Sequence, residues 1–206
     1  MGNSDELRIF GEVGALEKFS QNAKRIVVIG WPGAGKSVFS EKLSNQLNIG
    51  VFHLDALYWK TNHIPLEDKE WRLTHDKIAS GKSWIIEGNY WTSLDIRIKA
   101  SDCIIFFDLP MHVCARNVVC RLIAHYGKSR PGTSSGNAER FDRHFMLRML
   151  RVLWIYPVLE RGKTFRLIRS LGASSKLIVF HSQKEGNVFL ESLLRTTKTM
   201  VASTRC

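Results

Sequence analysis

Long apolar runs are missing from this chain. No stretch approaches the ~18 residues that a membrane-crossing helix needs, so no transmembrane segment is expected. The opening, MGNSDELRIFGEVG, carries acidic residues and no apolar core, which excludes reading it as a secretory signal. Gly2 stands at a potential myristoylation position, but Glu6 occupies the place that needs Ser or Thr, so lipidation is not expected. Cysteine is scarce, with 4 in 206 residues. Cys103, Cys114, Cys120 and Cys206 match neither a zinc pattern nor a redox CxxC pair. They read as reduced thiols of a cytoplasmic protein. Internal repeats are absent too. What remains is a chain 44% apolar and 24% charged, ordinary for one soluble domain with a full-sized core.

Acidic residues are unevenly scarce. Residues 116–169 hold 12 Lys plus Arg against 3 acids, a net +9, while the rest of the chain holds 18 against 16, a net +2. The formal charge of +11 is therefore one regional feature. That region has three readings: a lid over phosphates, a nucleic-acid surface, or the solvated faces of two amphipathic helices. In the last reading Arg148, Arg151, Arg166 and Arg169 face solvent, and Met149, Leu150, Leu153, Trp154, Leu167 and Ile168 pack.

Apolar periodicity alternates between two and 3.6 residues along the chain. Residues 1–23 read as an N-terminal extension. Strands are expected at 24–30, 51–55, 83–87, 102–108 and 176–180, each a short β-branched or aromatic run. Helices are expected after the first strand, with Val38, Phe39, Leu43 and Leu47 on one side, and at 67–80, 94–100, 112–126, 141–155 continuing to 171, and 184–194. Residues 127–137 are rich in Gly, Ser and Pro and read as a loop. Residues 196–206 read as a flexible tail. Strands alternating with helices predict an α/β, three-layer fold, a five-stranded parallel sheet spanning 24–195, with ligands at the C-terminal strand ends.

One motif carries chemistry directly. Gly30-Trp31-Pro32-Gly33-Ala34-Gly35-Lys36-Ser37 matches GxxxxGK[ST] in full, with a strand directly before it and a helix directly after. Glycines allow a tight turn whose N–H groups make an anion nest at a helix N-terminus. Gly30, Gly33, Ala34, Gly35, Lys36, Ser37 and Val38 are thus the expected ATP-binding residues, with Lys36 on the β and γ phosphates and Ser37 on Mg2+. A magnesium site also needs a carboxylate at a neighbouring strand end. Glu87 and Asp108 qualify, and Asp55 is a third acid on the same edge. The residues alone do not divide the roles. Leu57, Tyr58, Trp59 and Trp71 either line an acceptor pocket or pack the small helical region over the sheet, and Asn89, Tyr90 and Trp91 face the same edge. Residues 181–184 follow the fifth strand and are expected near the adenine.

In combination, IGWPGAGKS, HLDALYW, IIEGNYWTSLDIRIKASDCIIFFDLP and GKSRP followed by ERFD resemble the DNA topology modulation protein family, over residues 25–192. The resemblance implies an adenylate-kinase-like P-loop NTPase fold with a small basic lid at about 125–143. It implies that Glu87 helps Ser37 hold magnesium, and that Asp55 binds or deprotonates a small-molecule acceptor. Lid arginines would close over the phosphates, from among Arg121, Arg130, Arg140 and Arg143, with Arg121 and Arg130 favoured. Adenylate kinases continue their third strand into Asp-Gly-Phe-Pro-Arg. Here Glu87-Gly88-Asn89-Tyr90 stands instead, which argues against a nucleoside monophosphate acceptor unless Arg97 substitutes. An ATP-dependent kinase or ATPase is the first expectation, and a nucleotide-regulated nucleic-acid-binding protein the second.

Overall fold

The computed structural model describes Phe19 and residues 23–58, 66–124 and 160–203. The expected loop at 127–137, the lid at 125–143, Arg130, Arg140, Arg143, Arg148, Arg151, Trp59 and Cys206 lie outside the described residues.

Five strands form: β1 (Arg25–Gly30), β2 (Val51–His53), β3 (Trp84–Glu87), β4 (Cys103–Phe107) and β5 (Leu177–Phe180). All pair in parallel, in the order β2-β3-β1-β4-β5. Helices α1 (Lys36–Leu47), α2 (Leu54–Tyr58), α3 (Asp68–Ala79), α4 (Leu94–Ala100), α5 (Met111–Ala124), α6 (Arg161–Ser170) and α7 (Gln183–Ser203) connect and follow them. The expected α/β, five-stranded parallel fold is therefore present.

Alternation along β1 divides the core between two layers, because successive strand side chains point to opposite faces. Ile26 and Val28 pack with Phe39 and Leu43 of α1 and Phe189, Leu190 and Leu193 of α7. Val27 and Ile29 pack on the other face with Trp71 of α3, Ile98 of α4 and Ile168 of α6. Phe39, Phe107 and Phe180 meet edge to face at 5.1–5.7 Å. Such contacts fix α1, and hence the loop before it, against the end of β4.

Several boundaries differ from expectation. Strand β2 stops at His53 and the chain turns into α2, so Asp55 lies in a first helical turn rather than in a strand. Leu54 drives this turn: it is fully buried, and a Cβ on Gly88 would sit 2.8 Å from its own Cβ. Val38 is 63% exposed and does not share the buried stripe of Phe39 and Leu43. Neighbouring helical positions diverge by about 100°, and Phe39 takes the core direction. Helix α7 continues to Ser203, beyond the end expected at 194. Arg166 and Arg169 are exposed on α6 while Ile168 is buried, as the amphipathic reading requires. Among the described residues, no helix is long and apolar enough to cross a membrane.

Candidate active site

The loop between β1 and α1 is built by exclusion of side chains. Gly30 has φ +139°, and a Cβ there would lie 2.4 Å from the Phe107 carbonyl oxygen. Gly33 has φ +82°, with the Cys114 carbonyl oxygen 2.5 Å from a Cβ position. Only glycine meets both the positive φ and the close approach. The loop is then tied from outside. Asn117 Nδ2 donates to the Gly33 oxygen at 3.0 Å, and Gln183 Nε2 to the Ala34 oxygen at 3.2 Å. With those carbonyls held outward, the loop meets α1 at Gly35.

Helix α1 begins without a side-chain cap and with no acid in its first turn. The first N–H groups of a helix lack intrahelical acceptors and carry partial positive charge. The start of α1 is thus suited to an anion. Ala34 differs, since its N–H donates to the Trp31 oxygen at 3.1 Å. The Gly30 N–H donates to Asn89 Oδ1 at 3.1 Å. Gly30 and Ala34 therefore shape the loop with their amides already engaged, whereas Lys36, Ser37 and Val38 open the helix.

Lys36 is nearly buried. Its Nζ donates to the Trp31 oxygen at 2.9 Å and lies 3.9 Å from Glu87 Oε1. Burial pushes its ammonium down from the ordinary lysine range, against the opposing pull of Glu87 and Asp55, and Arg121 adds to the downward push. These influences bring Glu87, Asp55 and Arg121 into the field of one ammonium. Arg121 stands one helical turn beyond Asn117 on α5, on the side that braces Gly33.

Glu87 is the centre of the arrangement. Ser37 Oγ donates to its Oε2 at 3.1 Å, and His53 Nδ1 lies 3.1 Å from the same oxygen. Burial alone would raise the Glu87 carboxyl; His53, Lys36 and Ser37 together hold it below the usual range. It is therefore an ionised, buried acceptor. His53 is raised to about 9, by its bond to Glu87 first and with Glu41 contributing at 2.8 Å from Nε2.

His53 and Glu41 were not expected here. The register was the available signal: His53 pairs with Glu87 across β2 and β3, so both strand ends reach one point. Glu41 follows Ser37 by one helical turn on α1, and so faces the same way.

Two expected acids part company. Asp55 accepts a hydrogen bond from the Tyr90 hydroxyl at 2.9 Å, on the edge occupied by Glu87. Burial and then Asp55 drive the Tyr90 phenol upward, so it remains a donor. Asp108 instead binds Arg161 through two bonds of 2.7 Å. That pair ties the end of β4 to the start of α6 and removes Asp108 from the Glu87 cluster.

Arg97, the possible substitute for the missing arginine after β3, is engaged elsewhere. It is fully buried, and donates to the carbonyl oxygens of Gly88 at 2.7 Å, Asn89 at 2.8 Å and Tyr90 at 2.9 Å. Its guanidinium holds the loop after β3 and does not reach outward. Trp71 is likewise core, packed on Tyr58, His75 and Tyr90 at 4.3–5.0 Å. Gln183 reaches the phosphate loop.

No protein-family model matches the chain, and no curated protein matches it in sequence. Solved structures do share its architecture. Shikimate kinase from Bacteroides thetaiotaomicron superposes with a TM-score of 0.53 at 13% identity, covering 86% of this chain and 99% of that one. Shikimate kinase from Acinetobacter baumannii, in complex with shikimate, gives 0.49 at 10% identity, covering 89% and 98%. A gluconokinase from Sinorhizobium meliloti 1021 gives 0.48 at 18% identity, covering 86% and 97%. The first of these, together with the strand order, defines the chain as having the P-loop kinase fold.

Proposed function

We propose that this chain is an ATP-dependent phosphotransferase acting on a small-molecule hydroxyl acceptor. One observation carries the reading: Lys36, Ser37 and the ionised Glu87 converge at an uncapped helix start, with Asp55 on the same edge. The amides of Lys36, Ser37 and Val38 would receive phosphate oxygens of ATP, and Lys36 would exchange its bond to the Trp31 carbonyl for the β and γ phosphates. The Ser37 hydroxyl and the Glu87 carboxylate suit Mg2+, a hard cation that takes oxygen ligands. When bound, Mg2+ would neutralise charge on the β and γ phosphates.

Asp55 would orient the acceptor hydroxyl and accept its proton. The acceptor oxygen bonds to the γ-phosphorus as the bond to the β–γ bridging oxygen breaks. The electron pair leaves with ADP, and the products are ADP, the phosphorylated acceptor and one proton. Arg121 on α5, with Arg130 from the basic segment, would balance charge on the moving phosphoryl group, an effect worth ~10³ or more in rate where a single arginine supplies it. Among the described residues, the free thiols of Cys103, Cys114 and Cys120 fit a reducing, cytoplasmic setting.

ADP formation measured against neutral, cationic and anionic acceptors, with and without DNA, tests this reading. Stimulation by a small acceptor, lost in Asp55→Asn, is the expected result. Stimulation by DNA alone overturns it. That result would support the second reading, a nucleotide-regulated nucleic-acid-binding protein like the DNA topology modulation family. Exposed Arg166 and Arg169, on one face of α6, favour that alternative.

A further inference from the structure

The acceptor edge is distinctive for where its guanidinium groups are held. Anionic acceptors are recognised by forked, charge-assisted bonds from arginine. Among the described residues, Arg97 on α4 and Arg72 on α3, the helix that carries Trp71, are both engaged with other partners. Arg97 is fully buried under the loop after β3, with three bonds to the carbonyls of Gly88, Asn89 and Tyr90. Arg72, next to Trp71 on α3, binds the Thr92 carbonyl oxygen and grips both carboxylate oxygens of Asp95 at 3.1 Å. Neither can leave without a penalty. Withdrawing Arg97 would strand the buried Gly88 carbonyl and two half-buried ones, and withdrawing Arg72 would break a paired contact.

The groups presented instead have the opposite character. Asp55 is exposed, and its carboxylate accepts from the Tyr90 hydroxyl. Tyr58 and Tyr90 stack beside it with ring centroids 4.6 Å apart, each partly exposed. Glu87 lies behind, already committed to Ser37 and His53. Among the described residues, the cations around this edge are Lys36, at the phosphate loop facing Glu87, Arg121 on α5, and His53, which is bonded to Glu87 and Glu41. A carboxylate or phosphate placed beside Asp55 would meet repulsion from a like charge. A hydroxyl would find an acceptor in Asp55 and a partner in the phenol. An ammonium would find both the carboxylate and the negative faces of two tyrosine rings.

We propose that the acceptor is a hydroxyl compound without an anionic group, a neutral polyol or an amino alcohol, bound between Asp55 and the Tyr58–Tyr90 pair. This rests on the phosphotransferase reading and narrows it. Tyr90 acts as a positioning residue: its hydroxyl fixes the Asp55 carboxylate in the orientation that receives the acceptor proton.

Matched acceptors test the inference with the full chain. Glucose is compared with gluconate and glucose 6-phosphate, and ethanolamine with serine and glycolate. Two readouts are followed: ADP release with Mg-ATP, and intrinsic tyrosine and tryptophan fluorescence without nucleotide. At least a tenfold higher kcat/KM is expected for uncharged or cationic members, with a fluorescence change on binding. Tyr90→Phe, which keeps the ring, is expected to raise the acceptor KM at least about 10-fold with the ATP KM unchanged, the loss of one hydrogen bond to a carboxylate. ADP release driven by anionic acceptors alone overturns this inference and leaves the phosphotransferase reading standing. No acceptor-dependent ADP release from any class overturns both. An unchanged acceptor KM in Tyr90→Phe removes Tyr90 from the positioning role.

Discussion

Acid should weaken the packing of α3 against the loop after β3 through one buried histidine. His75 has no exposed surface. It lies 4.3 Å from the Trp71 ring centroid, with Nδ1 donating to the Trp71 carbonyl oxygen at 3.0 Å and Nε2 3.4 Å from Ser93 Oγ. Burial, and then the nearby Arg97 guanidinium, lower its pKa from 6.5 to about 4. Between those values the unfolded chain binds a proton that the native chain excludes. The contribution is therefore complete above about pH 6.5 and is lost as pH falls toward 4. Going from pH 7 to pH 5, linkage assigns this histidine about 2 kcal/mol of lost stability. For a chain of this length that corresponds to roughly 4–8 °C in Tm. His75→Gln keeps a donor for the Trp71 carbonyl and an acceptor for Ser93 but does not titrate. Denaturant unfolding of both proteins at pH 7 and pH 5 isolates the difference. The native chain should lose about 2 kcal/mol more than the variant. Equal losses would refute the assignment of a neutral, desolvated His75. His53 works in the opposite sense: its value near 9 means its pairing with Glu87 persists in acid and weakens only as pH rises through 9.

Gly33→Ala places a Cβ 2.5 Å from the Cys114 oxygen at positive φ; it should cost about 1–3 kcal/mol in denaturant unfolding and weaken nucleotide binding at least tenfold. Arg97 and Arg161 should behave unlike each other. Arg97→Met, which strands the buried Gly88 carbonyl and two half-buried ones, should cost ~3 kcal/mol or more. Arg161→Ala, whose side chain is 48% exposed, should cost under about 1 kcal/mol by the same unfolding assay.

Much of this architecture is written locally in the chain. β-branched runs set the five strands, and GxxxxGK[ST] sets the phosphate loop, because each depends only on neighbouring residue types. The cluster around Glu87 was half legible. Ser37 and Lys36 follow from the motif, but His53 joins through strand register and Glu41 through helix phase, which become visible only once β2 and β3 are paired. The roles of Asp108 and Arg97, left open by the residue types, are decided by distant contacts. Asp108 is taken by Arg161, 53 residues later, and Arg97 by carbonyls that turn inward after β3. A residue type states what a side chain can bind; the path of distant backbone decides what it does bind.

Equilibrium binding of a non-hydrolysable ATP analogue with Mg2+, to the native chain and to Lys36→Ala, tests the central claim most directly. The native chain should bind. The variant loses a charge-assisted contact of about 2–3 kcal/mol and should bind roughly 30- to 160-fold more weakly with its fold intact. Equal affinity in the two proteins, or no binding by the native chain, would contradict the account.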